Sequence, residues 1–251
     1  MFRCWLMSFS LCIISAVHAE EESTEQEMPS PLQGQVELGY QRHTGNTNTE
    51  SLNVNILAEY TKGRHRTTGK WEFYRLDKYG GEYKRKSTYT LQSDYKISPR
   101  GYVYGSFNGI DSKYSAYFKD YTFSAGYGYQ LTHTDVLTIE LEIGPGYRYQ
   151  KPNLDELDDD DLIFPETVRE PITRGNARID WSLTKTVTLG GDVTVVSGDS
   201  NTLLTTNINL TNDITQNLAL KLDYSRSYHS RVPDSLKKAD SATSINVVYH
   251  F

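Results

Sequence analysis

Residues 241–251 read Ser-Ala-Thr-Ser-Ile-Asn-Val-Val-Tyr-His-Phe. Ile245, Val247 and Tyr249 fall on one row, Ser244, Asn246 and His250 on the other, and the run stops on Phe251. Alternation at period two is the pattern of a strand with one apolar and one polar side. A last amphipathic strand closed by an aromatic residue is read here as the address that delivers a barrel to outer-membrane assembly machinery. Val247, Tyr249 and Phe251 are the residues of that signal.

The same period recurs upstream, starting near Gln33. One apolar row carries Val36, Leu38 and Tyr40, then Leu52, Val54, Ile56, Ala58 and Tyr60, then Trp71 and Phe73. It continues through Tyr89, Leu91, Tyr95 and Ile97, through Tyr121 to Leu131, and through Leu137 to Tyr149. The later strands carry Ala177 to Leu183, Val187 to Val195, Leu204 to Leu210, and Leu218 to Tyr224. Tyr102 to Ile110 also reads as a strand, but Tyr102 and Tyr104 compete with Val103 and Phe107 for the apolar row. The pattern predicts an all-β, antiparallel transmembrane β-barrel of about twelve strands over 33–251, with both termini periplasmic. Strands near the ~9–11 residues of a tilted crossing, with tyrosines at their ends, suit a bilayer. Tight turns at Lys62–Arg64, Ser98–Gly101, His133–Asp135, Thr184–Lys185 and Asp213–Gln216 are expected on the periplasmic side, and longer connections opposite.

The amino terminus points to the same compartment. Arg3, an apolar run from Trp5 to Val17 too short to span a bilayer, and Val17-His18-Ala19 predict a signal peptide over 1–19. Residues 20–32 are acidic and proline-bearing, and read as a disordered periplasmic leader. Cys4 and Cys12 both lie in the signal segment, so no disulfide framework is expected. Apolar residues make up only 37% of the chain, which leaves a soluble fold of this length short of core. Lys and Arg number 26 against 32 Asp and Glu; losing Arg3 leaves 25 against 32, a net charge of −7. That acidity argues against a nucleic-acid partner.

The opposite row is charged and must face the lumen, because a cationic side chain in mid-bilayer hydrocarbon costs about 2–4 kcal/mol. Lys84, Lys86, Glu140, Glu142, Arg148, Arg174, Arg178, Asp180 and Asp192 are the predicted lumen-lining residues, together with Glu37, Glu59, Glu72, Asp94, Lys96, Lys221 and Asp223. Mixed signs favour mutual bracing over a wide pore, while a narrow path for small solutes or ions stays compatible with either. The acids Asp155, Glu156, Asp158, Asp159, Asp160 and Asp161 offer oxygen ligands for a divalent cation or a surface adhesion site, but lack the alternate spacing and glycine of a calcium loop. A barrel-embedded lipid-modifying enzyme would need a pair such as His43 and Ser51 oriented by a third group, and none is identifiable. No catalytic residue, cofactor or resident metal is therefore expected. The expected partners are outer-membrane lipid, lipopolysaccharide, and the assembly machinery with its periplasmic chaperones, around a monomeric barrel.

Gly39-Tyr40, Thr44-Gly45-Asn46-Thr47 and Ser51-Leu52, then Gly126-Tyr127-Gly128-Tyr129, Gly144-Pro145-Gly146-Tyr147-Arg148 and Val248-Tyr249-His250-Phe251 follow one another across the barrel. In order and spacing they resemble domain-of-unknown-function family 481, the YdiY-like or salt-induced outer membrane proteins. The resemblance implies an outer-membrane barrel with a link to salt or osmotic conditions, and supplies no catalytic residue. The acids at 158–161 are not part of that pattern.

Overall fold

A computed structural model describes residues 30–43, 49–113, 117–152, 167–231 and 238–251. They form twelve strands: β1 Leu32–His43, β2 Thr49–Lys62, β3 His65–Lys78, β4 Gly81–Lys96, β5 Gly101–Ser112 and β6 Tyr117–His133. There follow β7 Leu137–Pro152, β8 Val168–Ser182, β9 Val187–Ser197, β10 Thr202–Asp213, β11 Leu218–His229 and β12 Ala239–His250. Each strand pairs antiparallel with its sequence neighbours, and β1 pairs with β12, closing the sheet into a barrel. Closure leaves no unpaired sheet edge, the condition for crossing hydrocarbon with strands. The expected signal peptide and nearly all of the leader lie outside the described residues.

Burial runs opposite to that of a soluble protein. Among the described residues six apolar side chains are buried, against thirty-nine large apolar ones exposed. The exposed residues and half-exposed ones between them form continuous rows across strands: Leu38, Val54 and Phe73 are register neighbours, and so are Leu91, Phe107 and Phe123. An apolar surface of that extent is untenable in water and suits a bilayer. From Tyr121 to Leu131 the strand rises about 33 Å, which a tilt of about 40° reduces to about 25 Å, the height of an outer-membrane apolar band.

The register settles the phase of β5. Val103 pairs with Tyr95 and Tyr127, and Phe107 with Leu91 and Phe123, so these belong to the outer row. Tyr102 and Tyr104 point inward and are almost fully buried. The expected segregation of connection lengths needs correction. One end carries only tight turns, but at the other Tyr79–Gly80 joins β3 to β4, and Gly198–Asn201 joins β9 to β10. Both Tyr79 and Gly80 have positive φ, 52° and 79°, the backbone of a two-residue hairpin turn whose twist matches its strands. Connection length is therefore set by local turn chemistry as well as by the end of the barrel.

Two packing features explain glycines of the sequence pattern. A Cβ on Gly126 would meet the Ile143 carbonyl and the Cα of Gly144 at 2.7 Å, and one on Gly144 would meet Gly126 equally closely. β6 and β7 thus touch backbone to backbone there, beside Pro145, with the same register on either side. At Gly128 the inner face is bare so that the Tyr102 ring can lie on it. The Gly-Tyr alternation therefore puts glycine inward, as a floor for other side chains, and tyrosine outward.

Candidate functional site in the charged inner face

The inward row alternates with the apolar one, so the residues facing the lumen follow directly from the register. Lys84 and Lys86 on β4, Glu140, Glu142 and Arg148 on β7, Arg174, Arg178 and Asp180 on β8, and Asp192 on β9 all lie on it. Arg178 sits between Glu140 and Asp192 in register, while Lys84 and Lys86 are exposed near the end opposite the termini.

The tightest cluster is built around Arg66, which two-residue steps from Thr68, Lys70 and Glu72 place on the inner face of β3. Its guanidinium donates to Asp94 at 2.9 Å on the neighbouring strand, and to both oxygens of Glu140 at 3.2 and 3.1 Å on β7. Since β4, β5 and β6 separate β3 from β7, this pair runs across the lumen and not along the wall. The forked donor geometry of arginine lets one cation satisfy two buried carboxylates. Gln130 donates to Glu140 at 2.7 Å, and Gln92 donates to Asp94 and Glu142 at 3.0 and 2.7 Å. Glu142 also accepts from Tyr102 Oη at 3.0 Å and from Arg174 at 2.7 Å. Arg66 and Arg174 lie over the rings of Tyr102 and Tyr104, 5.7 and 5.2 Å from their centroids. Buried carboxylates are tolerated when paired and hydrogen-bonded in this way.

A second cluster lies near the end opposite the termini. Arg148 donates to Glu170, to Ser200 Oγ at 3.1 Å and to the Asn201 carbonyl at 2.7 Å. Glu170 accepts from the Ser200 amide at 2.8 Å and from its hydroxyl at 2.6 Å. Asn201 is held in turn by Ser230 and by the Arg231 amide through its side-chain oxygen. Because Arg148 and Glu170 are inward residues, these bonds fold the Gly198–Asn201 turn against the inner wall. Beside them, Gln150 donates to Asp120 at 2.7 Å.

The other sector of the lumen is different. Lys221 pairs with Glu37 at 2.7 Å and Asp223 at 3.3 Å, and Lys70 with Glu72 at 2.8 Å. The Lys70 and Glu72 side chains are 36% and 37% exposed, and Asp223 is 27% exposed, although all three point inward. Water therefore reaches Lys70, Glu72 and Asp223 inside the barrel, while Glu37 beside them is buried.

Sequence reading missed Arg66, which follows the turn at Lys62–Arg64 and looks like part of it. It also missed Glu170, Asp120 and the bridging glutamines. Continuing the two-residue step from Glu72 to Arg66, and from Arg174 to Glu170, would have placed the first two on the inner row. Ser51 lies on the inner row of β2, in register with Gln41, whereas the side chain of His43 lies outside the described residues. Asp155, Glu156 and Asp158 to Asp161 also lie outside them, and no metal-holding cluster occurs among the described residues.

The family model described as "Protein of unknown function, DUF481" matches residues 36–251, and the chain belongs to that family. The uncharacterized protein YdiY of Escherichia coli K12 is 24% identical over 224 residues, which span 87% of this chain and 83% of YdiY. Among solved structures, an outer membrane channel of Pseudomonas putida F1 superposes with a TM-score of 0.50 at 11% identity, over 93% of this chain and 100% of that one. The NanC porin superposes at 0.49 and 11% identity, over 87% and 98%. At these identities the likeness is one of fold.

Proposed function

We propose that this member of the DUF481 family is an outer-membrane channel of narrow bore, with both termini periplasmic, that passes small polar or ionic solutes along the wet sector of its lumen. The observation that carries the reading is the inward, water-accessible charge of Lys70, Glu72 and Asp223 facing a wall braced by Arg66, Asp94, Glu140 and Glu142. A barrel filled for rigidity alone would bury the charges of both sectors. Paired inward charges of both signs suit small solutes and ions, because they offer passing charge a partner without a deep well. The similarity in fold to an outer membrane channel supports the same location. The reading is a non-enzymatic one, in keeping with the fold shared with an outer membrane channel.

Planar-bilayer recording on the refolded barrel tests it. Discrete, ohmic current steps are expected, with Glu72→Lys shifting the reversal potential toward anions. A barrel that inserts but conducts no ions would overturn the channel reading and leave a structural envelope protein.

A further inference from the structure

At the end opposite the termini, the outer face changes character just beyond its last aromatic row. Tyr121 and Tyr149 are register neighbours with rings 6.2 Å apart, and the next outward positions on the same strands are Lys119 and Lys151, also register neighbours. Arg169 on β8 pairs with Tyr149 in register, its guanidinium 5.5 Å from that ring, and Lys119 lies 5.9 Å from the Tyr121 ring. Arg75 and Arg85 form a second like-charged cross-strand pair at the same end, with Lys113 beside them. Like charges set directly opposite on one face destabilise a sheet unless an anion lies between them. For Arg75, Arg85 and Lys113 that anion is internal, since Glu82 lies within 3.9, 3.8 and 3.5 Å. No carboxylate among the described residues lies within ion-pair distance of Lys119, Lys151 or Arg169.

We infer that Lys119, Lys151 and Arg169 form an outward-facing site for the phosphate groups of the outer-leaflet glycolipid. The inference rests on the membrane orientation proposed above, which puts this end at the outer surface. Three features fix the chemistry. The cations face away from the lumen, and the outward acid beside them, Asp111 in register with Lys119, accepts from the Tyr121 hydroxyl at 2.7 Å and lies outside ion-pair distance. Three cations outnumber it, so the remaining counter-charge comes from the surrounding membrane. They sit one step beyond Tyr121 and Tyr149, the height at which an aromatic girdle gives way to headgroups. Arginine and lysine together suit phosphate, the first by its fork and the second as a point charge. The site is also one-sided: on β11 and β12 the corresponding outward positions are Tyr228, Arg226, Ala239 and Ser241, with a single cation.

The test uses the full barrel in phosphatidylcholine nanodiscs doped with bis-phosphorylated lipid A or with the same lipid stripped of its phosphates, and counts retained lipid by native mass spectrometry. At least tenfold preference for the phosphorylated form is expected. Lys119→Gln/Lys151→Gln/Arg169→Gln should abolish it, and Arg226→Gln should leave it unchanged. Heat-modifiable gel migration reports whether the triple variant is folded; if it is not, Lys151→Gln alone should reduce the preference severalfold. Equal retention of both lipids, or preference surviving the substitutions, would overturn the inference. So would preference emerging only when the acids at 155–161 are changed to amides, because those acids would then be the counter-ions. Failure to enter nanodiscs would instead refute the membrane location, so the two readings fail separately.

Discussion

The two sectors of the lumen wall use charge in opposite ways. Around Arg66, the inward acids Asp94, Glu140 and Glu142 and the cation Arg174 are buried, bridged by glutamines and tyrosines, and tied across strands that are not neighbours. Lys70 and Glu72, two residues apart on β3, pair with each other and stay wet, and Asp223 is half-buried beside Lys221. One barrel can hold both because buried pairs need extra hydrogen bonds to offset desolvation, while wet pairs do not.

Removing one partner on each side gives the largest expected contrast. Arg66→Met strands Asp94 and Glu140 and should cost about 3–5 kcal/mol. Lys70→Met, on a half-exposed pair, should cost at most about 1 kcal/mol. Urea unfolding in detergent micelles measures both, and equal losses would erase the distinction between the sectors. Restoring neutrality with Glu140→Gln beside Arg66→Met should recover part of the loss.

The backbone contact between β6 and β7 gives the next contrast. Gly126→Ala forces a Cβ against the neighbouring strand and should cost about 2–3 kcal/mol by overpacking. Gly105→Ala, one strand away with open space around it, should stay within about 0.5 kcal/mol. If the two behaved alike, the close approach would not explain the glycine.

A smaller effect is expected at the seam. The β1–β12 ladder is short, and Phe251 extends it: its amide donates to the Gly34 carbonyl and its carbonyl oxygen accepts from the Gly34 amide, both at 3.0 Å, with its ring over Gly34. Phe251→Ala should lower stability by about 1 kcal/mol while slowing barrel closure in vesicle folding assays. An unchanged folding rate would limit the terminal aromatic to a recognition role.

The smallest change belongs to the turn at Gly198–Asn201. Glu170→Gln removes the charge that pairs with Arg148 while keeping much of its shape. Single-channel records should show more frequent transitions between current levels, a change in gating read apart from the stability lost with a buried pair. A record identical to the parent would mean that the turn does not shape the lumen mouth.

Strand number, pairing order and the inner and outer rows were legible before any coordinates, because in a barrel the environment alternates with every residue. Val247 and Lys221 sort themselves by what hydrocarbon and water accept. The phase of β5 was not legible: tyrosine suits both an aromatic girdle and a polar lumen, and only pairing with β4 and β6 turned Tyr102 and Tyr104 inward. Nor was the partner of any charge. Arg66 and Glu140 lie 74 residues apart, on strands separated by three others, so no local pattern joins them. Period-two chemistry by itself determined which side each residue faces. Which inward residues meet across the lumen, and which stay in water, was decided only by closure of the wall.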